Sequence, residues 1–319
     1  MSQPTRSMIH VNKPLTNVSV AYLQDATNFI ADKIFPVVPV VKQSDLYFTY
    51  DKGDLLRTES KTRGAGSESA GRGYKVANTP YFTHVHAIHQ DVADQDRENA
   101  DVPLNLDIDA TEILTQDILM RREIDWFSAY YKTGVWTNPD FTPTTLWDAV
   151  NSVPIDDVIS QVEVIISTTG MSPRDMDLTI SPDVWTVLRN HPQVMDRIKY
   201  TQRGIATEDL FAALCGIRQV YVGRGVTNTA VEGAPPVVGY IATPKDCLLS
   251  YSPKAPSLKK PAAGYTFTWS AYAAAGFKTA VVKKFRMEPL ESDRIEVQLA
   301  YDMKPVALDA AVFFNNVIS

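Results

Sequence analysis

One stretch limits the folds open to this chain more than any other. Residues 101 to 134 read as a single helix, longer than a compact domain ordinarily needs. Asp101 suits the cap, Pro103 the first turn, and Gly134 the point where a helix stops. Leu106, Ala110, Ile113, Met120, Ile124, Phe127 and Tyr131 recur at helical spacing, so they line one face that only Asp117 interrupts. Acids come first (Asp107, Asp109, Glu112) and bases last (Arg121, Arg122, Lys132), the order the helix macrodipole favours. About thirty residues at a rise of 1.5 Å give a rod of roughly 45 Å. A long core helix in an ordinary α/β domain is one reading, and the flanking segments decide.

Both segments before the helix are poor in material for a core of their own. Residues 1–43 read as an N-terminal arm: polar and proline-containing, with one short helical stretch from about Tyr22 to Ala31. The run from Lys33 to Val40 follows, where Pro36 and Pro39 forbid helix and bar a central strand, so it should run extended over a surface. The arm either wraps its own domain or reaches a neighbouring subunit, and on the second reading Phe29, Ile34, Phe35, Val37 and Val38 are the contacts. Residues 44–90 read as an extended two-stranded loop. Leu46, Phe48 and Tyr50 alternate with polar positions outward, and Thr83, Val85 and Ala87 alternate with Phe82, His84, His86 and Ile88 on return. The intervening tip, residues 58–73, is small, glycine-rich and mixed in charge. It cannot bury a core, and an isolated ribbon is marginal in water, so a second chain is the natural support. Arg57, Glu59, Lys61, Arg63, Glu68 and Arg72 are the candidate intersubunit contacts; their alternating signs suit a protein partner better than phosphates.

After the helix, residues 137–154 form a proline-rich connection anchored by Trp136 and Trp147. Helices are predicted over 154–170, 183–190 and 208–214, with strands at 177–180, 217–222, 237–242 and 248–251, an α/β module. The C-terminal part turns to strand: Tyr265, Phe267 and Trp269 alternate, as do Ile295, Val297, Leu299 and Tyr301. An apolar segment with Phe313 and Phe314 closes the chain.

Composition narrows the function. A chain of 319 residues, 45% hydrophobic and 21% charged, is globular, not disordered. No apolar run is long enough to span a membrane, and no signal peptide precedes residue 13. A net charge of −6 does not suit a dedicated nucleic-acid binder. Cys215 and Cys247 lie in apolar settings and read as free thiols. His84 and His86 share one side of a strand, but His89 points elsewhere and no ligand spacing completes a metal site. Gly223-Arg224-Gly225 follows a strand as a dinucleotide loop would, yet Asn228 stands where the third glycine belongs. Asp107-Asp109 and Asp156-Asp157 sit where helix starts want negative charge. No catalytic residue, cofactor site or metal site is assigned.

The order of parts, with three stretches, carries a resemblance. Asn28 to Pro36, Asp177 to Trp185 followed by Leu210 to Ile217, and Ile295 to Val317 together resemble the major capsid proteins of tailed bacteriophages. The resemblance implies an α+β protein with the Hong Kong 97-type capsid fold: N-terminal arm, extended β loop, long spine helix, peripheral domain and α/β axial domain. On that reading residues 91–153 are peripheral domain with the spine helix at about 102–133. Residues 154–250 are the axial domain, 251–302 peripheral strands, and 303–319 a C-terminal return to the axial domain. The function implied is a non-enzymatic shell protein that self-assembles into hexamers and pentamers of an icosahedral capsid around double-stranded DNA. A separate scaffold or none, with portal and decoration proteins as candidate further partners, is expected, with assembly in the host bacterial cytoplasm. Arg6 and Lys13 are the candidate DNA-facing residues, through weak non-specific contact. The arm starts close to Met1, so a large cleaved scaffolding segment is not expected. Lys61 sits in the loop tip, but no partner for an isopeptide link is identified. An encapsulin-like compartment and an α/β nucleotide-binding enzyme remain as alternatives.

Overall fold

In the computed structural model, the described residues are 24–100, 104–199, 206–254, 261–272 and 280–319. The expectations placed on Arg6, Lys13, Tyr22, Asp101 and Pro103 lie outside them.

A short helix α1 (Ala31–Ile34) and strand β1 (Val37–Val40) follow the first described residues. Strand β2 (Ser44–Tyr50), helix α2 (Lys52–Leu55) and strand β3 (Val76–Phe82) make the extended loop. Next come β4 (His84–Ala93), α3 (Asp94–Glu98) and the long helix α4 (Leu106–Tyr130). The middle of the chain supplies α5 (Pro154–Thr169), β5 (Met176–Ile180), α6 (Pro182–Leu188), α7 (Pro192–Ile198), α8 (Glu208–Cys215) and β6 (Gln219–Val222). Then follow β7 (Val226–Asn228), β8 (Val238–Tyr240), β9 (Cys247–Tyr251), β10 (Gly264–Trp269), β11 (Val281–Met287), β12 (Ser292–Pro305) and β13 (Ala311–Phe314).

Two sheets organise these parts. In the first, β1, β10, β12 and β11 run in that order, with β4 also paired to β12. β1 is the edge strand and runs parallel to β10, which is where Pro39 can be accommodated. β12 is long enough to pair with β4 over residues 292–301 and with β10 over 301–305. The returning stretch from His84 is therefore a sheet strand, and the two-stranded loop ends at Phe82. The second sheet has the order β13, β9, β5, β6, with β5 and β6 parallel and the other pairs antiparallel. Its strands β5, β9 and β13 are buried at every position, as strands covered on both faces must be. β7 and β8 form a separate two-stranded sheet.

The helix starts later and faces differently than its sequence suggests. Asn105 caps it, accepting from the Ile108 amide at 3.3 Å. The buried stripe is Ala110, Leu114, Ile118, Arg122, Glu123, Trp126 and Phe127, while Ile113 is exposed. Two charged residues thus occupy core positions, which a search for apolar spacing passes over.

The arm residues Phe29, Ile34 and Phe35, read as contacts to another subunit, are buried in this one. This corrects the expectation, for a packing reason. The Phe35 ring fills a niche among Trp126, Tyr130 and Trp136, with centroids at 5.8, 4.9 and 6.5 Å. Val37 and Val38 are half-buried in β1 against their own sheet.

Candidate functional site

Among the described residues, Ser152 and His191 come closest to a nucleophile–base pair: both are buried, with Oγ and Nε2 2.9 Å apart. The imidazole Nδ1, however, accepts from the Gln193 amide at 3.2 Å and caps α7. The ring proton therefore sits on Nε2, and the serine hydroxyl donates to the Ala149 carbonyl at 2.7 Å. A base must offer an unprotonated nitrogen to its serine; this histidine offers a proton. The pair is structural.

His86 stacks on Tyr301 at 4.5 Å, and burial lowers its pKa from the ordinary value. No group of three or more His, Cys, Asp or Glu suitable for a metal occurs among the described residues. Burial pushes the Cys215 thiol up to about 12 and Cys247 well above its usual range, so neither is a ready thiolate. Gly223 is needed for packing: a methyl there would lie 2.9 Å from the Phe127 ring. Strand β7, not a helix, follows Gly225, so no helix N-terminus faces a phosphate as a dinucleotide loop requires. Asp156 bonds Gln193 and Arg197 while Asp157 accepts from Trp147, which accounts for that carboxylate pair.

What the structure does build is a joint and an open surface. At the joint, α1 has no side-chain cap of its own. Glu123, from the long helix, supplies one: its carboxylate accepts from the Ile30 amide at 3.0 and 3.1 Å and from the Ala31 amide at 2.9 Å. Arg122 lies 3.9 Å from Asp32 beside it. Burial raises the Glu123 pKa to about 7, against the lowering pull of the two amides and Arg122. The group therefore holds its proton more tightly folded than unfolded, where its pKa is 4.5. This favours the folded state fully below about pH 4.5, and the advantage fades as pH rises through 7. Stability is expected to drop by about 2–3 kcal/mol between pH 5 and pH 8, measured by urea unfolding. In Glu123→Gln that slope should flatten; an unchanged slope would mean another group titrates.

A second joint ties the start of the long helix to the first sheet. Arg97 bonds Asp107 at 2.9 Å and Asp293 at 3.0 Å, Lys284 bonds Asp107 at 2.8 Å, and Arg286 bonds Asp94 at 2.6 Å. Hydrogen bonds from Arg286 hold the Asp94 carboxyl below its usual range. Neither joint was visible in the sequence, since their partners are distant in the chain.

The open surface is the extended loop. On one face, Tyr47 and Tyr81 stack on Phe267 of β10 at 5.3 and 4.8 Å, fixing its base to the first sheet. Register places Leu46, Phe48, Val76 and Phe82 on the opposite face, where Leu46 is 54% and Phe48 58% exposed. An apolar sheet face left in water is a signature of contact with another molecule. Beyond it, Arg57, Glu59, Lys61, Arg63, Glu68 and Arg72 are all exposed, in a segment without regular structure up to Val76. Their bonds stay inside the loop: Arg57 pairs with Glu59 at 3.8 Å, Arg63 donates to the Ser67 carbonyl, and Arg72 to the Asp54 carbonyl. The β7–β8 hairpin likewise exposes Val231, Val237, Val238 and Tyr240.

No protein-family profile matches the chain. It is 24% identical over 242 residues to the major capsid protein of Burkholderia phage BcepMu, covering 72% of this chain and 76% of that one. With the major capsid protein of Pseudomonas phage JBD67 it shares 23% identity over 231 residues, covering 71% and 72%. Among solved structures, a phage-related protein from Bordetella bronchiseptica RB50 superposes with a TM-score of 0.69 at 20% identity, covering 91% and 92% of the two chains. The capsid of cyanophage P-SCSP1u gives 0.62 at 13% identity, covering 98% of each. The holo-SrpI encapsulin complex from Synechococcus elongatus gives 0.51 at 10% identity, covering 100% and 98%. The fold is thus the α+β fold of phage capsids, of the Hong Kong 97 type.

Proposed function

We infer that this chain is a major capsid protein of the tailed-phage kind, a structural, non-enzymatic subunit of a closed multi-subunit shell in the virion. One observation carries the inference: the likeness to a capsid subunit extends over 98% of this chain and 98% of the other, not over a shared core alone. The curated relatives favour a phage capsid over an encapsulin-like compartment, which shares the fold.

Within that reading, residues 154–250 are the axial domain, converging at the centres of hexamers and pentamers. The peripheral domain is built from residues 91–153 and 251–302. The loop overlies an adjacent subunit, which covers the apolar face of Leu46 and Phe48 and pairs with Arg57, Glu59, Lys61, Arg63, Glu68 and Arg72. Contacts of this head-to-tail type close into rings and shells. To the same reading belong weak, non-specific contact of Arg6 and Lys13 with packaged double-stranded DNA, portal and decoration proteins, a separate scaffold or none, and assembly in the host cytoplasm.

Negative-stain microscopy of the purified protein tests the reading. Closed particles of uniform diameter are expected, whereas dispersed monomers across protein concentration and ionic strength would overturn it. Cargo enzyme inside such particles would favour the compartment instead.

A further inference from the structure

We propose that the free subunit holds the outer end of its extended loop down on its own chain, and that this contact must open before the loop can serve a neighbour. The second clause rests on the shell reading; the first does not.

The contact has two parts. Lys52, at the start of α2, pairs with the carboxylate of Asp309. Asp309 lies in the turn between β12 and β13, and Asn138 pins that turn by donating to the Asp309 carbonyl at 2.8 Å. Four residues on, Leu56 lies over Gly170, the left-handed residue that ends α5: a methyl placed there would be 3.8 Å from Leu56 Cδ2. Asp51 fixes the direction of α2 by accepting from the Gly53 amide at 2.8 Å, so the lysine and the leucine reach the shelf together. The loop is thereby tied at both ends: its base to the first sheet through Tyr47 and Tyr81, its outer end to the region beside the second.

This outer tie is built to let go. The Lys52 side chain is 51% exposed in the pair, and an ion pair in water contributes little and is screened by salt. Leu56 remains 62% exposed despite its contact, so most of its apolar surface is still uncovered. A loop committed to its own chain would bury that surface. One resting lightly on a shelf keeps it for a better partner, and a neighbour offering more apolar cover displaces the shelf by differential affinity.

The test uses the full chain with Lys52→Ala, Asp309→Ala and the double variant. Hydrogen exchange of the free subunit, read over residues 50–57, is expected to speed up several-fold in either single variant. The double variant should go no further, because one contact is lost in all three. The charge exchange Lys52→Asp with Asp309→Lys should restore slow exchange, separating loss of the pair from general damage. Unchanged exchange in both single variants, or additive effects, overturns the self-contact. Assembly followed by light scattering is expected to show a lag several-fold shorter in the single variants. An unchanged or longer lag overturns the release step while leaving the shell reading intact, since the wild type would still form particles.

Discussion

Gly264→Ala is expected to destabilise the subunit by about 2–4 kcal/mol, an effect out of proportion to one methyl group. That methyl would lie 2.3 Å from ring carbons of Phe35, far inside the contact distance of non-bonded carbon atoms. The ring cannot retreat, because Trp126 and Trp136 meet it edge-on and Tyr130 lies against it. Phe35→Ala, which empties the niche, is expected to cost about 3–5 kcal/mol. Combining the two should cost clearly less than their sum, since the added methyl then enters the vacated space. Urea unfolding followed by tryptophan fluorescence reads all three, with Trp126 and Trp136 as reporters at the site. Strict additivity would show that the glycine and the ring do not share the volume assigned to them. The cycle also probes whether the arm belongs to the core of its own subunit, as the burial of Phe29, Ile34 and Phe35 states.

Glu123→Ala is the second substitution with a large expected effect, about 3–5 kcal/mol. Two backbone amides, of Ile30 and Ala31, lose their acceptor in a place water does not reach, and α1 loses its cap. Glu123→Gln should cost less, because one carbonyl oxygen remains to accept while the amide nitrogen cannot. The order Ala worse than Gln, with amide exchange at Ile30 and Ala31 rising in both, is the outcome that fits a capping role. Equal costs with unchanged exchange at those amides would not.

Much of the architecture was legible in the sequence, for identifiable reasons. The helix from Pro154 showed itself through proline at its start, an apolar stripe and Gly170 past its end. The outward strand of the extended loop showed itself through the alternation of Leu46, Phe48 and Tyr50. The alternation read as its return, residues 82–88, belongs from His84 onward to β4 of the first sheet, and the true partner is β3. The long helix was found but its face was misjudged, because the buried stripe runs through Arg122 and Glu123. Their burial is permitted by Asp32 and by two amides some ninety positions away, and nothing local announces such partners. Strand β11 escaped notice because its lysines and arginine break the alternation. Lys284 and Arg286 belong there because Asp94, Asp107 and Asp293 come to meet them from three other elements. The open loop surface was readable as a shortage of core material, whereas the self-contact of Lys52 with Asp309 was not.

The parallel pairing of β1 with β10 has a bearing on how subunits come into being. Thr266 donates its hydroxyl to the Phe35 carbonyl across 231 positions of chain, and both strands await β12 before the sheet is whole. Contacts that distant are slow to find, and β1 has no strand to pair with until they are found. Nascent chains therefore pass through an interval in which Phe35 can already meet Trp126, Tyr130 and Trp136 while the backbone groups of β1 stay unpaired. A cell making many copies at once must shield that interval or lose chains to premature association, so the yield of competent subunits is set by how quickly the two ends of this sheet meet.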